Sequence, residues 1–208
     1  ARPLLISVHG FGSTGWDSMQ DYDDAANARG WLLASADLHG EVWNDFMVTD
    51  SLTGWPVAGV GRRTMGSRAS QWDIADIVAY MQSHYNVDPT RIYLVGHSMG
   101  GMTALLTGAR YADRFAAVIS DSGPTDLAAW EDETQSEDPK GATENPSINH
   151  AIRTEAGTYK EPTHYPDQLR QAPDYPFEFE RRSPIQWAAN YEHLPLWILH
   201  PQSDKKVL

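Results

Sequence analysis

The chain has 208 residues, 41% of them hydrophobic and 21% charged, with a formal net charge of -12 and no cysteine. That is enough for one globular domain with a substantial core. The acidic balance excludes a phosphate-neutralising nucleic-acid binder, the lack of cysteine excludes disulfides, a thiol nucleophile and a thiolate metal site, and no apolar run approaches the roughly 20 residues that span a bilayer. The predicted elements follow in chain order. Residues 4–8 (LLISV) read as a first strand, ended by His9-Gly10. The spacing predicts a helix over 18–29, stopped by Gly30, and a second strand over 31–36. Residues 38–68 carry many glycines and scattered aromatics and read as a long loop. Trp72, Ile74, Ala75, Ile77, Val78 and Met81 recur at helical spacing and predict a helix over 71–85. Residues 91–95 (RIYLV) form a short β-rich run, followed by a helical pattern from Gly101. Residues 116–120 and 196–200 supply a fourth and a fifth strand.

Strands alternating with helices imply a mostly parallel sheet with helices on both faces, an α/β fold. The crossovers should be right-handed. Residues 124–194 differ in texture: 131–138 are rich in acid, and prolines punctuate the chain from Pro139 to Pro184. This insertion reads either as a solvated irregular segment or as a cap over a site. The expected organisation is therefore a single domain over 1–208 with a cap-like or irregular insertion at about 124–194.

One pentapeptide concentrates the chemistry. Gly96-His97-Ser98-Met99-Gly100 is a G-x-S-x-G motif set between a buried strand and a helix. A strand that turns sharply into a helix holds its central residue on a strained elbow, exposing Ser98 Oγ at the carboxyl edge of the sheet. A serine hydroxyl is a poor nucleophile unless a base, a group orienting that base and donors for the oxyanion accompany it. The glycine-rich run His9-Gly10-Phe11-Gly12-Ser13-Thr14-Gly15 follows the first strand and can aim the backbone N–H of Phe11 at a substrate carbonyl oxygen. The N–H of Met99, directly after the nucleophile, is the second donor. The run has neither G-x-G-x-x-G nor a P-loop lysine, so phosphate binding has no support. No His-Glu-x-x-His or compact His/Asp cluster points to a metal, and no cofactor is implied. Trp43, Trp55, Trp130 and Trp187 read either as the walls of an apolar acyl or aryl pocket or as core and cap packing. Arg62, Arg63 and Arg68 read as a solvated basic loop or as a carboxylate clamp.

Taken together, strand-His-Gly, Gly-His-Ser-Met-Gly-Gly and a strand ending in Leu199-His200 before Asp204 resemble the α/β-hydrolases over nearly the whole chain. Val87-Asp88-Pro89-Thr90-Arg91-Ile92, Ser183-Pro184 and the segment 195–204 are similar to the prolyl-oligopeptidase-like and carboxylesterase branch. The resemblance implies that Asp204, in the loop after the last strand, is the acid of a catalytic triad. Pro201 stands where the family commonly has a glycine. Asp121, after the fourth strand, is the substitute acid, and Asp126 reads as a helix cap. The family's histidine follows the acid, and none of the eight histidines occupies that place. His97 should point away from Ser98, while His200 reads as structural and His9 as shaping the oxyanion loop. His39 and His84 read as surface or loop residues. One of His150, His164 and His193 could reach Ser98 from a folded-over cap. The resemblance therefore implies a portion of a longer hydrolase, lacking the first strands and the last strand of the fold, with nucleophile, donors and acid but not the base.

The implied activity is a serine hydrolase of carboxylic esters working through an acyl-enzyme, with a small-molecule ester, or a peptide, as partner. A peptidase of the prolyl-oligopeptidase type is one rival, distinguished by peptide cleavage and by an additional N-terminal β domain. A catalytically inactive hydrolase fold used for binding is another, and ester turnover would reject it.

Overall fold

The computed structural model describes residues 1–40, 47–49, 56–58, 64–134, 148–156, 175–204 and 207. β1 (Arg2–Val8) is buried along nearly all its length. Two short helices follow, α1 (Gly15–Gln20) and α2 (Asp23–Ala28), then β2 (Leu32–Ser35). A small antiparallel pair, β3 (Met47–Thr49) and β4 (Pro56–Ala58), precedes α3 (Arg68–His84). β5 (Val87–His97) leads into α4 (Met99–Arg110), and β6 (Ala117–Asp121) follows. Then come α5 (Leu127–Thr134), α6 (Ile148–Ala156), α7 (Tyr175–Arg181), a 3-10 helix over Pro184–Tyr191 and β7 (Leu196–Leu199).

The main sheet has the order β2-β1-β5-β6-β7, and every pair in it is parallel. The chain steps outward from β1 to β2, then crosses back over β1 to β5 and continues to β6 and β7. The order therefore reverses between β1 and β5. In open α/β sheets, the crevice at the carboxyl ends of such strands is where ligands bind. Here the loop after β1 and the β5–α4 junction meet at that crevice.

Alternation along the strands divides their side chains between two faces. On one face Leu4, Ile6, Val8, Leu94 and Val118 pack with Ile74, Val78 and Met81 of α3 and Ala104 of α4. On the other face Leu5, Tyr93, Val95, Ala117, Ile119 and Trp197 line a groove together with Tyr22 and with Ala25 and Ala26 of α2. A second cluster joins Met99, Met102 and Leu106 of α4 to Trp130 of α5, Ile152 of α6 and Phe179 of α7. It buries the described part of the 124–194 insertion against the body of the domain.

Four expectations change. The helix over 18–29 is two helices broken at Asp21-Tyr22, because a separate start at Thr14 reaches back beyond Ser18. The Thr14 hydroxyl accepts from Asp17 N–H, and the Asp17 carboxylate accepts from Thr14 N–H, making a capping box. The loop over 38–68 contains the β3–β4 pair, whose three-residue strands are too short to show alternation. The helix over 71–85 begins earlier, at Arg68, where the Ser67 side chain accepts from Ser70 N–H. The insertion contains helices α5, α6 and α7 as well as the 3-10 helix. Pro184 opens that 3-10 helix, where its missing N–H has no cost. Asp126 caps α5 as expected, accepting from the N–H groups of Ala128 and Ala129.

Candidate active site

Ser98 links β5 to α4 with φ 55 and ψ -123, a left-handed conformation that a residue with a Cβ rarely adopts. Such strain costs on the order of 1–3 kcal/mol and persists only when packing over-determines it. Three glycines show that packing. A Cβ on Gly96 would overlap the Gly100 carbonyl oxygen, and one on Gly100 would overlap the Val8 carbonyl oxygen. A Cβ on Gly101 would press on Ser120 Oγ at 2.8 Å. The turn is therefore wedged between β1 and β6, and Ser98 N–H donates to the Asp121 carbonyl at 2.8 Å.

Val8 pairs with Gly96 in the sheet register, which brings the glycine-rich loop directly against this turn. A Cβ on Gly10 would sit 3.3 Å from the His97 carbonyl oxygen and 3.7 Å from Ser98 Cβ. His9 holds the loop from beneath. Its ring is buried, with Nε2 accepting from Leu38 N–H at 3.2 Å and Nδ1 facing the Gly10 carbonyl at 3.0 Å. Met99 is the first residue of α4, so its N–H has no acceptor within its own helix. Phe11 and Ser98 line one cavity of about 290 Å³, together with Ser18, Tyr22, His97 and Ile148.

Tyr22 was not expected as a neighbour of the site, whereas Asp121 is the substitute acid named above. Tyr22 stands at the break between α1 and α2. Burial first, then the Asp121 and Asp21 carboxylates, push its phenol above its ordinary value, so it presents a neutral hydroxyl. No sequence signal marks it, since the break carries neither glycine nor proline. His97 is exposed, and its Nδ1 lies 3.1 Å from Asp121 Oδ2.

Asp204 lies beyond β7, two strands from Ser98 in the sheet order. Its Oδ1 accepts from Val207 N–H at 3.1 Å, and its Oδ2 is 3.8 Å from His200 Nε2. His200 Nε2 donates to the Val207 carbonyl at 2.7 Å, a structural contact. His39 pairs with Asp73, and the His84 ring stacks on Tyr80. Among the described residues, no histidine ring is bonded to Ser98 Oγ. His193 is exposed. His164 and the side chain of His150 lie outside the described residues. So do Trp43, Trp55, Arg62 and Arg63. Trp130 is 1% exposed and belongs to the second core cluster, not to a pocket wall at Ser98. Trp187 packs partly buried against the same cluster. Arg68 is exposed over the Trp72 ring, 5.4 Å from its centre.

A peptidase from Mycobacterium tuberculosis that hydrolyses puromycin superposes with a TM-score of 0.64 at 19% identity, covering 99% of this chain and 26% of that one. FphF, a fluorophosphonate-binding serine hydrolase of Staphylococcus aureus, superposes with a TM-score of 0.55 at 13% identity, covering 96% and 65%. At these identities both likenesses concern the fold. In sequence, a bifunctional acetylxylan esterase/xylanase of Neocallimastix patriciarum is 32% identical over 130 residues, 61% of this chain and 16% of the relative. Feruloyl esterase B of Neurospora crassa is 27% identical over 123 residues, 58% and 38%. The chain thus matches less than two-fifths of either esterase's length. A model of the alpha/beta hydrolase fold matches residues 3–184, from β1 through the Ser98 turn to the start of the 3-10 helix, and the chain belongs to that family.

Proposed function

We propose that this chain carries the nucleophile of a serine hydrolase acting on carboxylic esters. The observation that carries the reading is Ser98 itself: a strained, half-buried serine at a parallel-sheet switch point, facing a cavity and a glycine-rich loop. Strain of this kind is retained where it presents a group to a ligand. Ser98 Oγ attacks the ester carbonyl, and the N–H groups of Phe11 and Met99 stabilise the oxyanion. The alcohol leaves with a proton, and water then releases the acid from the acyl-enzyme. Asp204 orients the histidine that moves these protons. None of the histidine rings described here is bonded to Ser98, and His164 and the side chain of His150 lie outside the described residues. The insertion at 124–194 serves as a cap, since Ile148 of α6 enters the cavity lining.

The esterase relatives favour ester over peptide substrates. The peptidase reading draws support from the solved peptidases of the same fold, at identities that speak to fold alone. A fluorophosphonate probe applied to the full-length polypeptide should label Ser98, and Ser98→Ala should remove the label. A probe that labels neither protein, or both equally, rejects the nucleophile and leaves a binding role. Turnover of aryl acetates without cleavage of peptide amides selects the esterase.

A further inference from the structure

Attack by Ser98 leaves most of the polar groups around it without a task. The cavity of about 290 Å³ lies between the loop after β1 and the break between α1 and α2, and Ser13, Ser18, Asp21, Tyr22 and His97 all line it. His97 is tied down at one ring nitrogen. Its Nδ1 lies 3.1 Å from Asp121 Oδ2, and Ser122 Oγ donates to the other oxygen of that carboxylate, also at 3.1 Å. Ser122 has φ 53, a left-handed backbone like that of Ser98. A carboxylate only accepts, so this pairing assigns the ring proton to Nδ1 and leaves Nε2 as a lone-pair acceptor. No described residue donates to that Nε2. Tyr22 supplies the opposite function. Its hydroxyl makes no hydrogen bond among the described residues, and burial, with Asp121 and Asp21, keeps it protonated. An O–H donor and an imidazole acceptor therefore stand unspent in one cavity beside the nucleophile.

We propose that Tyr22 and His97 form a two-point clamp for a hydroxyl on the acyl group of the substrate, and so set a preference for hydroxylated acyl chains. Given Ser98 as the nucleophile of an ester hydrolase, on which this assignment rests, the alcohol departs towards the base that Asp204 orients, on the β7 side. The cavity lies on the β1 side of Ser98, so it receives the acyl group. A hydroxyl accepts from the Tyr22 O–H and donates to His97 Nε2 at once. A methyl ether accepts only, and a hydrocarbon end does neither. A carboxylate would accept, but it would enter beside Asp21 and Asp121, whose like charges oppose it. Phe11 and Ile148 give the chain that carries the hydroxyl an apolar wall. Discrimination arises because a chain without the hydroxyl strips water from both polar groups and gives neither a partner.

The test uses the full-length polypeptide and para-nitrophenyl esters of hexanoic acid and of its ω-hydroxy, ω-methoxy and ω-carboxy derivatives. For the ω-hydroxy ester, kcat/KM should exceed that of the plain hexanoate about tenfold, the worth of one hydrogen bond to a desolvated group. The methoxy ester should fall between them and the carboxy ester lowest. Tyr22→Phe should bring the hydroxy-to-plain ratio to within about twofold of unity. Tyr80→Phe, at an exposed position of α3, should keep the ratio of the unaltered protein. A ratio near unity in the unaltered protein overturns the clamp, whatever the variant does. So does a high ratio that survives Tyr22→Phe. Fluorophosphonate labelling separates this clamp from the nucleophile: a labelled Ser98 with a flat ratio removes the clamp alone, whereas neither label nor turnover removes both.

Discussion

The three glycines around Ser98 do different work from the glycines in ordinary turns. Gly30 has φ +65 and open space where a Cβ would go, so alanine there meets only the left-handed backbone penalty, about 1 kcal/mol. Gly96 lies against the Gly100 carbonyl with backbone on both sides, and no side chain can swing away to make room. Gly96→Ala is therefore expected to cost roughly 3 kcal/mol through overpacking and to abolish probe labelling by shifting Ser98. Gly30→Ala should keep the labelling. Urea unfolding and fluorophosphonate labelling of the two variants check this; full labelling of Gly96→Ala would mean the wedge does not set the nucleophile. The G-x-S-x-G spacing made the strained turn at Ser98, between a strand and a helix, legible in the sequence. Tyr22 was not legible as a site neighbour, because tertiary packing of the α1–α2 break brings it to the cavity at Ser98.

Among the elements, α4 shows how the nucleophile's helix is held. All but its last residue are buried, and the 3-10 helix clamps its far end. Tyr191 Oη donates to the Leu105 carbonyl at 2.6 Å, and Asn190 Nδ2 donates to the Ala109 carbonyl at 2.9 Å. Gly108 leaves room for the Tyr191 ring, since a Cβ there would lie 2.6 Å from the phenol oxygen. Burial drives the Tyr191 phenol far above the usual tyrosine range. A group whose folded pKa is raised stabilises the fold in full below its unfolded pKa, near 10 for tyrosine. That contribution is lost as pH rises past this value towards the folded one. Tyr191→Phe is expected to lose about 1 kcal/mol at pH 8, from the missing hydrogen bond, and to show a shallower loss of stability above pH 10. Parallel stability curves for the two proteins from pH 8 to 11 would remove Tyr191 from the alkaline response. The strands of the main sheet were readable because each carries an apolar run, although β5 begins at Val87, four residues before the strand read at 91–95. The helices of the insertion were not, because its prolines read as breakers while Pro176 and Pro184 sit in first turns, where a missing N–H is tolerated.

At the scale of the molecule, the insertion is tied to the body of the domain by a buried cation that nothing in the sequence singles out. Arg182 has no exposed surface. Its guanidinium donates to the Thr64 and Met65 carbonyls at 3.2 Å each and to the Glu155 carbonyl at 2.7 Å. Its Nε lies 3.3 Å from the Glu178 carboxylate. The partners come from before α3, from α6 and from α7, so a single side chain joins the insertion to the segment entering the body of the domain. A planar fork with five donors suits several carbonyls at fixed angles, which an ammonium cannot match. Removing it leaves buried carbonyl acceptors without donors and takes from the Glu155 and Glu178 carboxylates a cation that both face, although Glu178 keeps Arg181. Arg182→Ala is therefore expected to cost about 3–5 kcal/mol, and Arg182→Lys to recover less than half of that. Since α6 brings Ile148 to the cavity at Ser98, loosening this tie should also raise KM for an aryl acetate more than it lowers kcat, under conditions where the variant stays folded. Urea unfolding and steady-state kinetics of the full-length protein decide it. A loss under 1 kcal/mol would show that the acceptors find water. An unchanged KM with a clear stability loss would confine Arg182 to the second core and detach the insertion from the site.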